Sequence, residues 1–147
     1  MKTRILALAA VVVLALTAVA VAGTNKFSKT LKGGGAVSFK VKTNKKGIAT
    51  KVTSFSLKGT TECMNEAENQ LKAGPVIKAK LGSFKVKKFA GTYGFEGTKT
   101  INGVKHTVSG SFTSKKGRKV GGSIRAKGRI ADKACVFPAN EYSAKRK

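Results

Sequence analysis

The chain has 147 residues, with 30 Lys and Arg against 6 Asp and Glu, a formal charge of +24, no Trp, two Cys and one His. That inventory excludes a metal centre built from Cys and His and leaves few groups for acid–base catalysis. The excess of positive charge makes a polyanion the partner class to test first.

Lys2 and Arg4 precede an apolar run from Ile5 to Val21 that ends in small residues at Ala18, Ala20 and Ala22. A basic head, an apolar stretch and small-x-small positions mark a secretory signal peptide over residues 1–22. The polar switch at Thr24-Asn25 favours cleavage after Ala22 over a retained membrane helix. No cysteine follows the run directly, so a lipid anchor there is not indicated. Cleavage makes residues 23–147 a single domain of 125 residues (147 − 22), with a charge of +22 once Lys2 and Arg4 are taken from +24. A chain of that length buries one sizeable core.

Thr24 to Lys32 reads as an edge strand, stopped by Gly33-Gly34-Gly35, whose backbone entropy opposes any regular element. Val37, Phe39 and Val41 alternate with Ser38, Lys40 and Lys42, the pattern of a half-buried strand, and Asn44 and Gly47 suit the turn that follows. Ile48 and Val52 share one phase and Phe55 and Leu57 the other, so an extra residue near Thr53-Ser54 predicts a β-bulge or a corner. Thr61 to Gly74 holds three of the six acids and predicts a short helix. Thr61 is its N-cap, Glu62 and Glu66 lie near the positive dipole end, Met64, Ala67 and Leu71 share a face, and Lys72, Gly74 and Pro75 form the exit. A disulfide-tethered loop would use the same residues. Strands resume at Val76–Leu81 and Phe84–Phe89, separated by Gly82-Ser83.

Asn102-Gly103 is the strongest local signal, because both residues accept the positive φ of a type I′ hairpin. Counting outward places Ile101 opposite Val104, Lys99 opposite His106, Gly97 opposite Val108, Phe95 opposite Gly110 and Tyr93 opposite Phe112, all on one face. Phe95 and Val108 are expected to lie over the two glycines. A turn over Ser114–Gly117 then leads to a strand in which Val120, Gly122, Ile124 and Ala126 alternate with Lys119, Ser123, Arg125, Lys127 and Arg129. A loop over Ile130–Cys135 and a last strand over Glu141–Lys145 complete the chain.

Eight or nine antiparallel strands predict an all-β sandwich with one short helix or loop near Cys63, a closed barrel being the alternative. Cys63 and Cys135 are an even pair and read as one disulfide closing 72 residues (135 − 63), with Cα atoms expected at about 4.4 to 6.8 Å. Gly82-Ser83-Phe84, Val108-Ser109-Gly110-Ser111-Phe112, Val120-Gly121-Gly122-Ser123-Ile124-Arg125, Cys135 and Tyr142-Ser143-Ala144-Lys145-Arg146 together resemble a group of uncharacterised secreted bacterial β-proteins. That resemblance implies an extracytoplasmic β fold and supplies no catalytic residues. The lysine enrichment here is not part of the group's pattern.

Gly-x-Ser-x-Gly, His-Glu-x-x-His and a Walker loop are absent, and Gly117–Ser123 lacks the Gly-Lys-Ser/Thr ending. His106 falls on the apolar phase and reads as a core or rim histidine. Glu62, Glu66 and Glu68 read as a solvated turn, and Glu96 and Asp132 stand alone. No metal, cofactor or catalytic residue is assigned. What stands out is basic residues on outward phases: Lys40, Lys42, Lys78, Lys80, Lys85, Lys87, Lys119, Arg125, Lys127 and Arg129. Of these, Lys85, Lys87, Lys119, Arg125, Lys127 and Arg129 are the expected polyanion site. The expected function is therefore a secreted, non-enzymatic module that associates with an anionic polymer or cell-envelope surface. The phenylalanines fall mostly on inward phases, so the stacking platforms of single-strand nucleic-acid binders are lacking. An envelope protein whose charge serves only solubility and an unrecognised hydrolase are the alternatives.

Overall fold

The computed structural model describes residues 22–31, 34–113 and 118–147, so nearly all of the expected signal peptide and the turn Ser114–Gly117 lie outside the described residues. Nine strands form among them: β1 (Thr24–Thr30), β2 (Ala36–Thr43), β3 (Ala49–Asn65), β4 (Gln70–Lys85), β5 (Lys87–Phe89), β6 (Thr92–Ile101), β7 (Val104–Phe112), β8 (Lys119–Ile130) and β9 (Lys133–Lys145). All pairings are antiparallel. Hydrogen bonding runs β1-β2-β3-β9-β8-β7-β6-β5, with β4 on the other edge of β3. The sheet does not close into a barrel; it is sandwich-like, as the alternation predicted.

β3 organises this arrangement. Its first half pairs β2 up to Lys58, and β9 then takes over the same edge at Glu62 and Cys63. The expected bulge is present: Ser38 pairs Ser56 but Lys40 pairs Thr53, and the extra residue, Ser54, has φ 52°. The extra residue lets Val52 and Phe55 both face inward. The two halves of the sheet meet over one aromatic core. Phe27, Phe39 and Phe55 stack at 5.2 and 5.1 Å between centroids, and Phe39 and Phe55 each lie 6.1 Å from Phe95 of the opposite half.

The helix over Thr61–Gly74 is a correction: β3 continues to Asn65, the chain turns at Glu66–Asn69, and β4 returns from Gln70. The inward residues of this extension are Gly59, Thr61 and Cys63, which do not read as an apolar phase. Gly59 is covered by the Phe137 ring, and Thr61 Oγ1 donates to the Pro75 carbonyl at 2.8 Å. Gly82-Ser83 does not separate two strands either, because Gly82, at φ 78°, is absorbed as an irregularity inside β4. The expected loop over Ile130–Cys135 is instead a two-residue hairpin, with Ala131 at φ 48° and Asp132 at φ 63°.

The Asn102-Gly103 hairpin has the expected register at all five apolar-face pairs. Phe95 covers Gly110 as expected, whereas Gly97 is covered by Phe84 rather than Val108. Cys63 and Cys135 form the disulfide. Their Cα atoms are 4.0 Å apart, closer than the expected range of about 4.4 to 6.8 Å, because they are directly opposite residues of adjacent strands.

Candidate functional site

Eight exposed lysines share the outer face of β1–β4: Lys26 on β1, Lys40 and Lys42 on β2, Lys51 and Lys58 on β3, and Lys78, Lys80 and Lys85 on β4. Strand phase puts them there, since Val37, Phe39 and Val41 take the inward positions of β2, and Ala79, Leu81 and Phe84 those of β4. The irregularities matter as much as the alternation. Lys51 and Lys58 are an odd number of residues apart, and only the extra residue at Ser54 brings both to one face. Lys80 and Lys85 are also an odd number apart, and the irregularity at Gly82 does the same for them.

The register then sets lysine directly opposite lysine. Lys26 faces Lys40, Lys42 faces Lys51, Lys51 faces Lys85, and Lys58 faces Lys78. Directly opposed side chains in a sheet start about 5 Å apart at Cβ, and like charges there are destabilising. No carboxylate lies in these rows; the nearest along β3 is Glu62, beyond Thr60. The ion pair between Lys72 and Glu68 involves none of the eight.

Between the lysine rows the floor is low. Ser28, Ser38 and Ser56 form one cross-strand row, and Ser38 Oγ and Ser56 Oγ are 2.7 Å apart. They floor an open trough of about 960 Å³, which Lys58, Lys78 and Lys80 also line. A second hollow of about 280 Å³ shares Ser28 and Ser38 and carries Lys26, Lys40 and Lys147 on its margin.

The six basic residues expected to form the site are divided. Lys85 belongs to the β1–β4 face, while Lys87 pairs Gly94 at the far edge of the other half. Arg125, Lys127 and Arg129 come together on the outer side of β8, where Lys105 faces Lys127. Arg129 Nη2 donates to the Asp132 carbonyl. Lys119 faces Lys145 at the opposite end of β8, roughly 20 Å of strand from Arg125. The row beside Arg125 is Glu96, Ser109, Ser123 and Glu141, so this face is mixed in charge. The sequence pattern does not reveal Lys26, Lys51 and Lys58: counting outward from the Asn44–Gly47 turn misplaces Lys51, which comes opposite Lys42 only through a register shift between Lys42 and Thr43.

His106 is 2 % exposed, and neither ring nitrogen has a hydrogen-bond partner in the protein. Burial pushes its pKa below the ordinary value, opposed by the backbone at Lys99 and Val104. Tyr142 is buried across Gly122 and donates its phenol to the Ser109 carbonyl at 2.9 Å, and burial pushes its pKa up. Both groups are core fixtures. Among the described residues no three His, Cys, Asp or Glu side chains cluster, and no helix is long and apolar enough to cross a membrane.

No family model, curated protein or solved structure matches the chain. The Gly-x-Phe and Gly-x-Ile-Arg motifs have a local explanation in the sheet: Gly110 makes room for Phe95 and Gly122 for Tyr142. A packed antiparallel sheet needs such glycines whatever its function.

Proposed function

We propose that the protein is a non-enzymatic electrostatic binding module, acting outside the reducing cytosol, that holds an anionic polymer or cell-envelope surface against the lysine face of β1–β4. The observation that carries this is the register of lysine against lysine across four strands, without a carboxylate in the same rows. An arrangement that repels itself gains most from a counter-charge supplied by a partner. The Cys63–Cys135 disulfide is compatible with an extracellular location. The Arg125–Lys127–Arg129 cluster is the secondary patch, since Glu96 and Glu141 share its face.

The test is affinity for an anionic polymer as a function of salt, in three proteins: the parent, Lys40→Gln/Lys42→Gln/Lys51→Gln, and Arg125→Gln/Lys127→Gln/Arg129→Gln. Each neutralised group on the polymer releases counterions, so losing contacts flattens the plot of log affinity against log salt. The β2–β3 variant is expected to flatten it by about two to three in slope and the β8 variant by less than one. Equal slopes for the parent and the β2–β3 variant would remove that face. No binding by the parent at low salt would leave the charge serving solubility alone.

A further inference from the structure

Electrostatic capture of a polyanion needs positive charge and nothing else, yet the middle of the lysine face is not lysine. Ser28, Ser38 and Ser56 occupy one row across β1, β2 and β3, with Ala36 and Thr30 in the next. A solubilising surface has no use for a hollow, and a purely electrostatic one would fill it with more charge. Small side chains keep the floor down while flanking lysines stand above it, giving the trough its volume of about 960 Å³. That is room for several units of a chain rather than one small ion.

Hydroxyls differ from ammonium groups in being acceptors as well as donors. Ser38 Oγ and Ser56 Oγ share one hydrogen across 2.7 Å, and their remaining lone pairs are open to the trough. A lysine can only donate, whereas a serine oxygen can also accept from a ligand hydroxyl. A partner using both must carry anionic esters and free hydroxyls in alternation. Resting on the polyanion reading of this face, we infer that the trough is a subsite for a polyol-phosphate chain, its phosphodiesters held by Lys58, Lys78 and Lys80 and its hydroxyls by Ser38 and Ser56. The concave floor suits a single extended chain lying across the strands.

The experiment compares the parent with Ser28→Ala/Ser38→Ala/Ser56→Ala, three changes on the outer face that leave the core untouched. Poly(glycerol phosphate) and linear polyphosphate of matched charge serve as probes. The triple variant is expected to lose about tenfold in affinity for poly(glycerol phosphate) and less than twofold for polyphosphate, which has no hydroxyls to donate. Lys40→Gln/Lys42→Gln/Lys51→Gln is expected to weaken both. Equal losses on the two polymers, or none on either, would overturn the subsite while leaving the electrostatic reading intact. Failure of the parent to bind either polymer would end both. Phosphatidylglycerol vesicles present the same headgroup chemistry on a flat surface, and are expected to show no serine dependence. A tenfold loss on vesicles would assign the trough to a lipid headgroup and overturn the polymer assignment.

Discussion

His106 is buried in the core with neither ring nitrogen hydrogen-bonded to the protein, and burial disfavours an imidazolium there. Its folded pKa lies below the usual value near 6.5, so the folded state binds fewer protons than the unfolded one. The stability this contributes is present above about pH 6.5 and is lost as pH falls below it. Since it is the sole histidine, stability measured from pH 7 to 5 is the measurement that reports on this group. His106→Leu is expected to flatten that profile; an unchanged slope would show that His106 is solvated. Tyr142→Phe removes the bond to the Ser109 carbonyl and is expected to lower unfolding free energy by about 1 kcal/mol in denaturant titrations. Gly122→Ala would drive a methyl into the Ser109 carbonyl and the Tyr142 phenol, for a loss of about 3 kcal/mol. At this scale the sequence was readable where chemistry and phase agree. The inward setting of His106 and the cover of Phe95 over Gly110 follow from the hairpin count. The cover of Phe84 over Gly97 joins β4 to β6, which are not hydrogen-bonded neighbours, and no local pattern encodes it.

Strands could be read wherever inward positions are large and apolar, as in β2 and β7. The outer half of β3 defeated that rule, because its inward set is Gly59, Thr61 and Cys63, with bulk supplied from elsewhere by Phe137 and the disulfide. Turns were readable only when their residues advertised positive φ. Asn102-Gly103 did, but Ala131-Asp132 did not, although it makes the same two-residue connection. The Ala90-Gly91 turn has the same form, with Ala90 strained at φ 44°. Asparagine tolerates that region better than alanine. Ala90→Asn is therefore expected to raise stability by about 0.5 to 1 kcal/mol in thermal or chemical unfolding, and a loss would mean that the turn is not type I′.

For the molecule as a whole, repulsion outweighs ion pairing: lysine faces lysine across β1–β4, and the pair Lys72–Glu68 is exposed. Salt screens whichever sign dominates, so raising it from 0.01 to 0.5 M is expected to increase the melting temperature by a few degrees. A decrease would mean that attraction dominates. The cationic character of the surface was legible from composition, but its centre was not. Lys26 joins the others through the pairing of β1 with β2, and Lys51 and Lys58 through the bulge and the neighbours of β3, all of which are properties of pairing rather than of any one segment. β9, which follows the other eight described strands in the chain, lies between β3 and β8 in the middle of the hydrogen-bonded order. Until it arrives, β8 lacks its partner along one side and β3 has an open edge beyond Lys58. Completion of the sheet must therefore wait for β9, which is made after both of the strands it joins. A chain stopped before Lys133 would carry two further open edges, and should associate with its copies instead of folding alone.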